Sequence, residues 1–347
     1  MAKKSNGGFL VSVIILLAVA FGAYYAYQQF FAKVNLKDKN YTYIYIEHDD
    51  SFEDVISDIN AEGIIENLES FEWLAKQMKL EDNIHAGKYR INKGMNMRQI
   101  INLIKYNKQE KVKLTLNSQI HTFEEFIIYA SDKLSLEEGE IEDYFLDEKR
   151  LLSEFNLDPD NAFAMVVPGV YEVSWAINAE ELFETLQQKF NKVWNQTRRN
   201  QCKQMKLSVA EVITLASIAQ SESNIRSEQE KIAGVYLNRL NKNMLLQADP
   251  TLKFANKNYD AQRVLDQDKA IDSPYNTYKY KGLPPGPICL VSISAIDATL
   301  NYKKHNYLFF CAKPQLNGYS DYSVTYDQHC KYANAYQKNL NKRGINR

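Results

Sequence analysis

The chain reads SVAEVITLASIAQSESNIRSEQEKIAGVYLNRL over residues 208–240. Ser208 and Glu211 form a capping-box pattern, so a helix should begin at Val209. Apolar residues then recur at helical spacing and predict one buried stripe, formed by Val209, Val212, Ile213, Ala216 and Ala219. A second capping-box pattern, Ser227 with Glu230, should open the next helix. The stretch therefore predicts two helices that meet at a tight corner.

Glu222 lies at this predicted corner, on the same helical line as Leu215 and Ile218. A carboxyl group that is desolvated beside apolar side chains has a raised pKa, which suits a general acid. A solvated glutamate near a helix end is the alternative interpretation, and residue physics alone leaves it open.

The organisation outside this stretch predicts an α+β protein. Between residues 40 and 110 the pattern is strand, helix, helix, strand, helix, which resembles a LysM-like module, a small glycan-binding fold. Residues 111–347 then form a larger α+β domain. It should begin with a strand at residues 112–116, followed by a helix that opens with a capping box of Thr122 and Glu125. A turn at residues 167–169 should lead into another strand.

The N-terminal region predicts a membrane anchor. Lys3 and Lys4 precede an uncharged stretch from Ser5 to Ala32 with a strongly apolar core at residues 9–23. This length suits a transmembrane helix, which we place at residues 7–31. The two lysines predict a cytoplasmic tail at residues 1–6, with the body on the other side of the membrane. A signal peptide cleaved after Ala20 is the alternative.

The composition excludes several classes of function. The chain has 347 residues with 42 basic and 43 acidic side chains, and no basic run interleaved with aromatic residues indicates nucleic-acid binding. Its four cysteines form no C-x-x-C pair, and its five histidines are scattered, so neither a metal site nor a cofactor is predicted. The disulfide pairing is left open for Cys202, Cys289, Cys311 and Cys330.

Several motifs in a fixed order resemble the endolytic murein transglycosylases of the YceG-like family. They are LASIAQSES at residues 215–223, IAGVYLNRL at 232–240, LQADPT at 246–251, YNTY at 275–278 and GLPPGPI at 282–288. The resemblance runs from the membrane segment to the last helix and is strongest over residues 207–300. The segment HAGKY at residues 85–89 with Gly94 and Met95 is similar to the LysM-like region of that family.

The resemblance implies a catalytic role for Glu222, which ends the family's A-S-I-x-x-x-E segment. Family members usually carry a further glutamate two residues earlier. This chain has Gln220, which cannot ionise. The implied reaction is cleavage within glycan strands of the bond between N-acetylmuramic acid and N-acetylglucosamine, leaving 1,6-anhydro ends. It needs one carboxylate and no cofactor.

The resemblance also implies a cellular context. The body would lie on the periplasmic side of the bacterial inner membrane, held by a single-pass helix. Peptidoglycan glycan strands would be its substrate. It would act in cell-wall synthesis by terminating strand elongation, together with wall-synthesis proteins.

Further motif residues are candidates for substrate binding: Gln220, Asn238, Arg239, Gln247, Asp249, Thr251, Tyr275, Asn276, Tyr278, Leu283, Pro284 and Gly286. Each also has a structural interpretation. Asp249 precedes Pro250 and could cap a helix. The polar side chains could satisfy buried backbone groups, and the two tyrosines could pack in the core. Residues 283–286 read as a rigid turn that shapes one wall of a cleft.

Two rival functions remain open at this point. A muramidase-type hydrolase would use Asp249 as a second carboxylate beside Glu222. A non-catalytic glycan-binding scaffold for wall-synthesis partners is the other rival, because Gln220 replaces the usual glutamate.

Overall fold

The structure, a computed structural model, describes residues 7–31, 33–261 and 264–342; in the first helix the side chains of residues 11–24 and 27 are described. The predicted cytoplasmic tail at residues 1–6 lies outside the described residues. The chain divides into two compact units. Unit 1 comprises Met1–Lys113, Lys133–Ser135 and Glu172–Asn178, and unit 2 comprises Leu114–Asp132, Leu136–Tyr171 and Ala179–Arg347. The domain division between residues 110 and 111 stays a prediction.

Unit 1 follows the predicted order of elements. They are α1 (Gly7–Phe31), β1 (Tyr41–Ile46), α2 (Phe52–Ala61), α3 (Leu68–Gln77), β2 (Gly87–Asn92) and α4 (Met97–Lys105). Strands β1 and β2 pair antiparallel, with Tyr41 opposite Asn92 and Ile46 opposite Gly87. Capping boxes form at Ser51 and Asn96 and fix the starts of α2 and α4. The order strand, helix, helix, strand, helix is confirmed.

Helix α1 spans 25 residues. Its described side chains include large apolar residues with more than half of their surface exposed, such as Leu16 and Phe21. In α1 the described side chains are those of residues 11–24 and 27. Within the described part of the chain, no helix is long and apolar enough to cross a membrane.

The elements from residue 112 onward are mostly helical. They are β3 (Val112–Leu116), α5 (Phe123–Lys133), α6 (Glu138–Phe145), α7 (Glu148–Phe155), a 3-10 helix (Pro159–Met165), β4 (Gly169–Val173), α8 (Ala179–Val193), α9 (Gln196–Met205), α10 (Val209–Glu222), α11 (Arg226–Asn241), α12 (Asp249–Ala255), a second 3-10 helix (Asp266–Ala270), α13 (Ile293–Leu300), β5 (Phe309–Ala312), β6 (Ser320–Ser323) and α14 (Tyr326–Lys342). Strands β3 and β4 pair, as do β5 and β6. The α+β class is confirmed.

Helix α10 is the central helix of unit 2. The predicted capping box of Ser208 and Glu211 forms at its start, and the helix ends at Glu222. Its burial is wider than the predicted stripe, because every residue from 212 to 219 is buried, whereas Val209 of that stripe is only partly buried. Helices α9, α11, α12 and α13 all pack against it. A helix that is apolar on all sides is covered on all sides, so α10 gives Glu222 a rigid base.

The predicted capping box of Ser227 and Glu230 is wrong. Helix α11 begins at Arg226, and its N-cap is Ile225, which has no side-chain cap. The backbone oxygen of Ile225 already accepts the first helical bonds, so Ser227 lies inside the first turn. The corner is held instead from Ser223, whose carbonyl accepts a 2.7 Å hydrogen bond from Gln229 Nε2. The predicted tight corner itself is confirmed.

Gly234 allows the segment that contains Lys303 and His305 to pack closely against α11. A Cβ atom at this position would lie 2.5 Å from the Lys303 carbonyl oxygen and 2.8 Å from His305 Nε2. The same segment bonds back to the helix, since Lys303 N donates to the Glu230 carbonyl at 3.0 Å. Backbone atoms cannot yield as a flexible side chain can, so any larger residue must push the segment away.

We therefore expect Gly234→Ala to lower the thermal unfolding midpoint. Overpacking costs about 1–3 kcal/mol, and it should outweigh the roughly 1 kcal/mol that alanine gains in helix propensity. Gly139→Ala is the matched control, because Gly139 lies in α6 with no atom near the added Cβ. Equal midpoints for the two variants would show that the close approach at Gly234 is not constraining.

Candidate active site

The side chain of Glu222 is partly buried and partly accessible to solvent. Glu222 is the last residue of α10. Burial raises the pKa of this carboxyl to about 7, against a hydrogen bond from Tyr236 that lowers the pKa. The negative charge of Asp249 raises the pKa further, while Lys253 and Arg239 lower it. A carboxyl group with this pKa can both give and take a proton near neutral pH.

Tyr236 positions the Glu222 carboxyl. Its hydroxyl donates a 2.8 Å hydrogen bond to Glu222 Oε1, from α11 across the corner. The tyrosine is 1% exposed, and its ring packs edge-on against Phe310. Burial and the neighbouring Glu222 raise the pKa of Tyr236 well above its usual value, so the hydroxyl stays a donor. Sequence reasoning missed this residue, because only the corner of α10 and α11 brings it to Glu222.

Arg239 is a buried cation one helical turn beyond Tyr236. Its Nε donates to the Leu308 carbonyl at 2.6 Å, and its Nη1 donates to the Leu246 carbonyl at 2.8 Å. It also reaches Gln247 Oε1 at 3.3 Å. The guanidinium thus ties the segment before β5 and the segment before α12 to α11. Its charge helps to limit the rise in the pKa of Glu222.

Asp249 does not cap α12, so that structural interpretation is wrong. The N-cap is Ala248, and Asp249 is the first residue of the helix with Pro250 after it. The Asp249 side chain is exposed, and its Oδ1 accepts a 2.5 Å hydrogen bond from the Tyr278 hydroxyl. The negative charge of Asp249 contributes to the raised pKa of Glu222, so the two carboxyl groups interact electrostatically.

Gln220 braces the segment that precedes α13. Its Nε2 donates to the Leu290 carbonyl at 3.1 Å, and its Oε1 accepts from Ser292 N at 2.9 Å. A carboxylate could accept the second bond but could not make the first. The neutral amide therefore fits this position of the chain. Its predicted contact with substrate stays a prediction.

Other polar candidates also bond to the backbone. Asn238 Nδ2 donates to the carbonyls of His305 and Tyr307, at 2.7 and 3.0 Å. The buried Thr251 hydroxyl donates to the Ala248 carbonyl at 2.7 Å, and the buried Asn276 Nδ2 donates to the Ile271 carbonyl at 2.8 Å. The Asn238 bonds hold the segment before β5, and the Thr251 and Asn276 bonds hold the start of α12 and the loop that follows the second 3-10 helix. Substrate contacts by these residues stay predictions.

The GLPPGPI segment lies against the core. Tyr275 packs on Phe254 with ring centroids 4.5 Å apart, and burial raises the pKa of Tyr275 to about 12. Pro284 and Gly286 are buried, and a Cβ on Gly286 would lie 3.1 Å from the Tyr275 hydroxyl. Leu283 is partly buried in the same cluster. Residues 283–286 therefore form a rigid wall.

An open groove of about 510 Å³ runs along this wall. Its lining is Asp272, Ser273, Pro274, Tyr280, Leu283 and Pro285. Sequence reasoning predicted only Leu283 among these residues. Four of the other lining residues flank the YNTY motif on either side, and Pro285 lies inside GLPPGPI, so scanning these motifs with their flanks could have found them.

Unit 2 is thus a mostly helical α+β domain. At the corner between two of its helices, a glutamate with a pKa near 7 accepts a hydrogen bond from a tyrosine. The YceG-like family model matches residues 44–335. This match covers most of the chain, so the protein belongs to the YceG-like family.

Curated relatives support this assignment. The chain is 41% identical over 149 residues to the endolytic murein transglycosylase of Bacillus subtilis strain 168, covering 43% of this chain and 40% of that protein. It is 25% identical over 341 residues to the endolytic murein transglycosylase of Streptococcus pneumoniae serotype 2 strain D39, covering 88% of this chain and 61% of that protein. The matched part is therefore less than two thirds of the length of either relative.

A solved structure is similar as well. The crystal structure of a putative YceG-like protein from Listeria monocytogenes aligns with a TM-score of 0.53 and 26% sequence identity. The alignment covers 85% of this chain and 99% of that chain. The resemblance inferred from the ordered motifs is confirmed.

Proposed function

We propose that the protein is an endolytic peptidoglycan lytic transglycosylase with Glu222 as its acid and base. The observation that carries this proposal is the Glu222 carboxyl group, which is half-buried at the end of α10 with a pKa of about 7. The names of the two curated relatives supply the substrate class. The product and the role in terminating strand elongation are part of the proposal.

The reaction needs one carboxyl group used twice. Tyr236 donates to Oε1 of Glu222, so the acidic proton is best placed on Oε2. The proton on Oε2 passes to the glycosidic oxygen, and the bond between that oxygen and C1 of N-acetylmuramic acid breaks. The carboxylate then accepts the proton of the sugar's own 6-hydroxyl as its oxygen bonds to C1. The anhydro ring closes, no water is consumed, and Glu222 regains its proton.

The muramidase-type hydrolase is kept as a second candidate because of Asp249. Its exposed carboxylate acts on the pKa of Glu222 and bonds only to Tyr278 among the contacts described. A hydrolase would use such a carboxylate as base or nucleophile. The intramolecular route remains favoured, because a 6-hydroxyl on the same sugar has a large effective concentration.

Endolytic cutting has a simple test. The full-length protein, purified in detergent, is incubated with long glycan strands, and the strand-length distribution is followed with time. We expect the mean length to fall early, before disaccharides accumulate. Early release of disaccharides from strand ends would contradict the endolytic mode, and no cleavage at all would favour the scaffold.

The titration of Glu222 also predicts a pH-dependent stability difference. Its pKa in the folded state is raised from an ordinary 4.5 to about 7, so folding favours the neutral acid. That stabilisation is complete below the ordinary value and is lost as the pH rises through about 7. The thermal unfolding midpoint of Glu222→Gln, relative to that of the wild type, should therefore increase as the pH rises. A difference between the two midpoints that does not change with pH would contradict the raised pKa of Glu222.

We also propose that α1 anchors the protein in the bacterial inner membrane, with a cytoplasmic N-terminus and a periplasmic body. The proposal rests on the sequence, in which residues 5–32 include no charged residue and residues 9–23 are strongly apolar. Residues 40–110 are proposed as the LysM-like module, and wall-synthesis proteins as partners.

The anchor predicts an intact N-terminus in the protein isolated from membranes. Uncleaved helix α1 should keep the body with the membrane fraction until detergent is added. N-terminal sequencing of the mature protein is the measurement. A start immediately after Ala20 would establish the signal-peptide alternative.

A further inference from the structure

Glu228 is a buried carboxyl group that the proposed reaction does not use. It lies in the first turn of α11 and is 0% exposed. Its Oε1 lies 2.8 Å from Lys231 Nζ, while its Oε2 accepts hydrogen bonds from the Ser320 amide at 2.8 Å and from the Tyr322 hydroxyl at 2.9 Å. A carboxyl group is costly to bury unless its oxygens are bonded, so these three donors are what allows Glu228 to lie in the interior.

Two of the three donors belong to β6, so Glu228 fastens the β5–β6 hairpin to α11. The two strands pair antiparallel, with Phe310 opposite Tyr322. The loop between the strands also contacts the start of α11, since a Cβ atom on Gly318 would lie 3.0 Å from Cδ1 of Ile225, the N-cap residue. The hairpin and the first turn of α11 therefore pack against each other within unit 2.

Phe310 connects the hairpin to the Glu222 site. Its ring centroid is 6.0 Å from that of Tyr322 and 5.9 Å from that of Tyr236, which it meets edge-on at 85°. Tyr236 in turn donates the 2.8 Å hydrogen bond to Glu222 Oε1. The three rings pack in the same apolar cluster as Leu215 of α10. Because packed side chains transmit displacements, a shift of the hairpin would move Phe310 and loosen the position of the Tyr236 hydroxyl.

We propose that Glu228 is a positioning residue for Glu222. It acts through a row of three packed side chains, Tyr322, Phe310 and Tyr236. By holding the hairpin on α11, Glu228 keeps the Tyr236 hydroxyl directed at Oε1 of Glu222, so that Oε2 is free to carry the acidic proton. Glu228 itself contacts no reacting atom. Its effect on turnover rests on the function proposed above, whereas its effect on the titration of Glu222 does not.

The proposal has a consequence for pH dependence. Burial raises the pKa of Glu222, and the hydrogen bond from Tyr236 opposes that rise. Loosening this bond should therefore raise the pKa of Glu222 further. Because the neutral acid is the proton donor, turnover falls as the pH rises through this pKa, and that alkaline limb of the pH–rate profile should move to higher pH. A variant that is merely less stable would keep the limb in place.

The direction of the shift separates positioning from a direct effect of charge. Removing the negative charge of Glu228 would by itself lower the pKa of Glu222 and move the limb to lower pH. Burial and Glu228 raise the pKa of Tyr322, so its hydroxyl is neutral in the measured range. The other ionisable groups that interact with Glu222 stay unchanged in the two test variants; they are Tyr236, Arg239, Asp249, Lys253 and Tyr278.

The test measures initial rates of glycan-strand cleavage by the full-length protein between about pH 5 and about pH 9. Glu228→Gln keeps the size of the side chain but turns one accepting oxygen into an amide that only donates. It should lower kcat about tenfold and leave KM unchanged. Tyr322→Phe removes one hydroxyl, keeps the ring against Phe310, and should lower kcat about threefold. In both variants the alkaline limb should move up by about half a pH unit. Tyr322→Phe decides the test if Glu228→Gln does not fold.

Two further variants give the reference and the control. Tyr236→Phe removes the hydrogen bond to Glu222 directly and should move the limb up by about one pH unit. If Glu228 acts through Tyr236, adding Glu228→Gln to Tyr236→Phe should move the limb no further, whereas shifts that add would overturn that route. Tyr171→Phe is the matched control, because the buried Tyr171 hydroxyl of unit 2 donates to the Val167 carbonyl at 2.6 Å. It should lose stability and keep the kcat, the KM and the limb of the wild type.

A measurement without turnover separates this proposal from the catalytic one. The thermal unfolding midpoint of each variant is compared, as a function of pH, with that of the same variant carrying Glu222→Gln, and the pH at which the two diverge reports the titration of Glu222. If strands are cut but neither the limb nor this titration moves up, the positioning role is overturned and Glu222 remains the catalytic acid. A shift to lower pH would also overturn it. If no strand is cut but the titration moves up, the catalytic proposal fails and the positioning role stands.

Discussion

The Glu222→Gln variant is expected to lose nearly all turnover while it remains folded. Glutamine keeps the size of the side chain and can still accept the hydrogen bond from Tyr236, but it has no transferable proton. General acid and base catalysis is worth about 10²–10⁴-fold. Here one carboxyl group would serve both steps, so we expect kcat on glycan strands to fall by about 10⁴-fold, the upper end of that range.

The control for this variant is Glu184→Gln, which makes the same change at an exposed glutamate of α8. It should retain normal kcat and KM. The thermal midpoint of Glu222→Gln should be at least that of the wild type at neutral pH, because the change removes a desolvated carboxylate. Near-normal turnover in a folded Glu222→Gln protein would refute the assignment of Glu222.

Local signals in the sequence predicted the helices well. The capping box of Ser208 forms as expected, and boxes of the same spacing form at Ser51 and Asn96, because each depends on residues three positions apart. The Ser227 pattern failed although its spacing is the same. Gln229 bonds to the carbonyl of Ser223, and the helix starts two residues earlier than the Ser227 pattern predicts. Competition of this kind depends on the fold of the corner and is not encoded in the pattern.

The site was only partly predictable for a related reason. Glu222 could be found because its helix position and motif are local. Its partner Tyr236 comes from the next helix, and Tyr278 reaches Asp249 across 29 positions of the chain. The structural interpretation of Asp249 as a cap failed because α12 begins at Asp249 itself, with Ala248 at the N-cap position. No pattern of neighbouring residues predicts such contacts.

The second large effect concerns the chemistry of the new strand ends. Asp249 does not cap α12, so the structure leaves a second carboxylate within electrostatic reach of Glu222. Its presence makes the source of the attacking oxygen the decisive question. In the lytic reaction the 6-hydroxyl of the sugar supplies that oxygen, and water is never incorporated. In hydrolysis by two carboxylates, water supplies it.

Digestion of glycan strands by the full-length protein in ¹⁸O-labelled water answers that question directly. Mass spectrometry of the released fragments should show 1,6-anhydro-N-acetylmuramic acid ends that carry no ¹⁸O and are one water lighter than muramidase products. The Glu222→Gln variant should release none of these fragments. Reducing ends that carry ¹⁸O would contradict the lytic mechanism and would make Asp249 the base or nucleophile of a hydrolase.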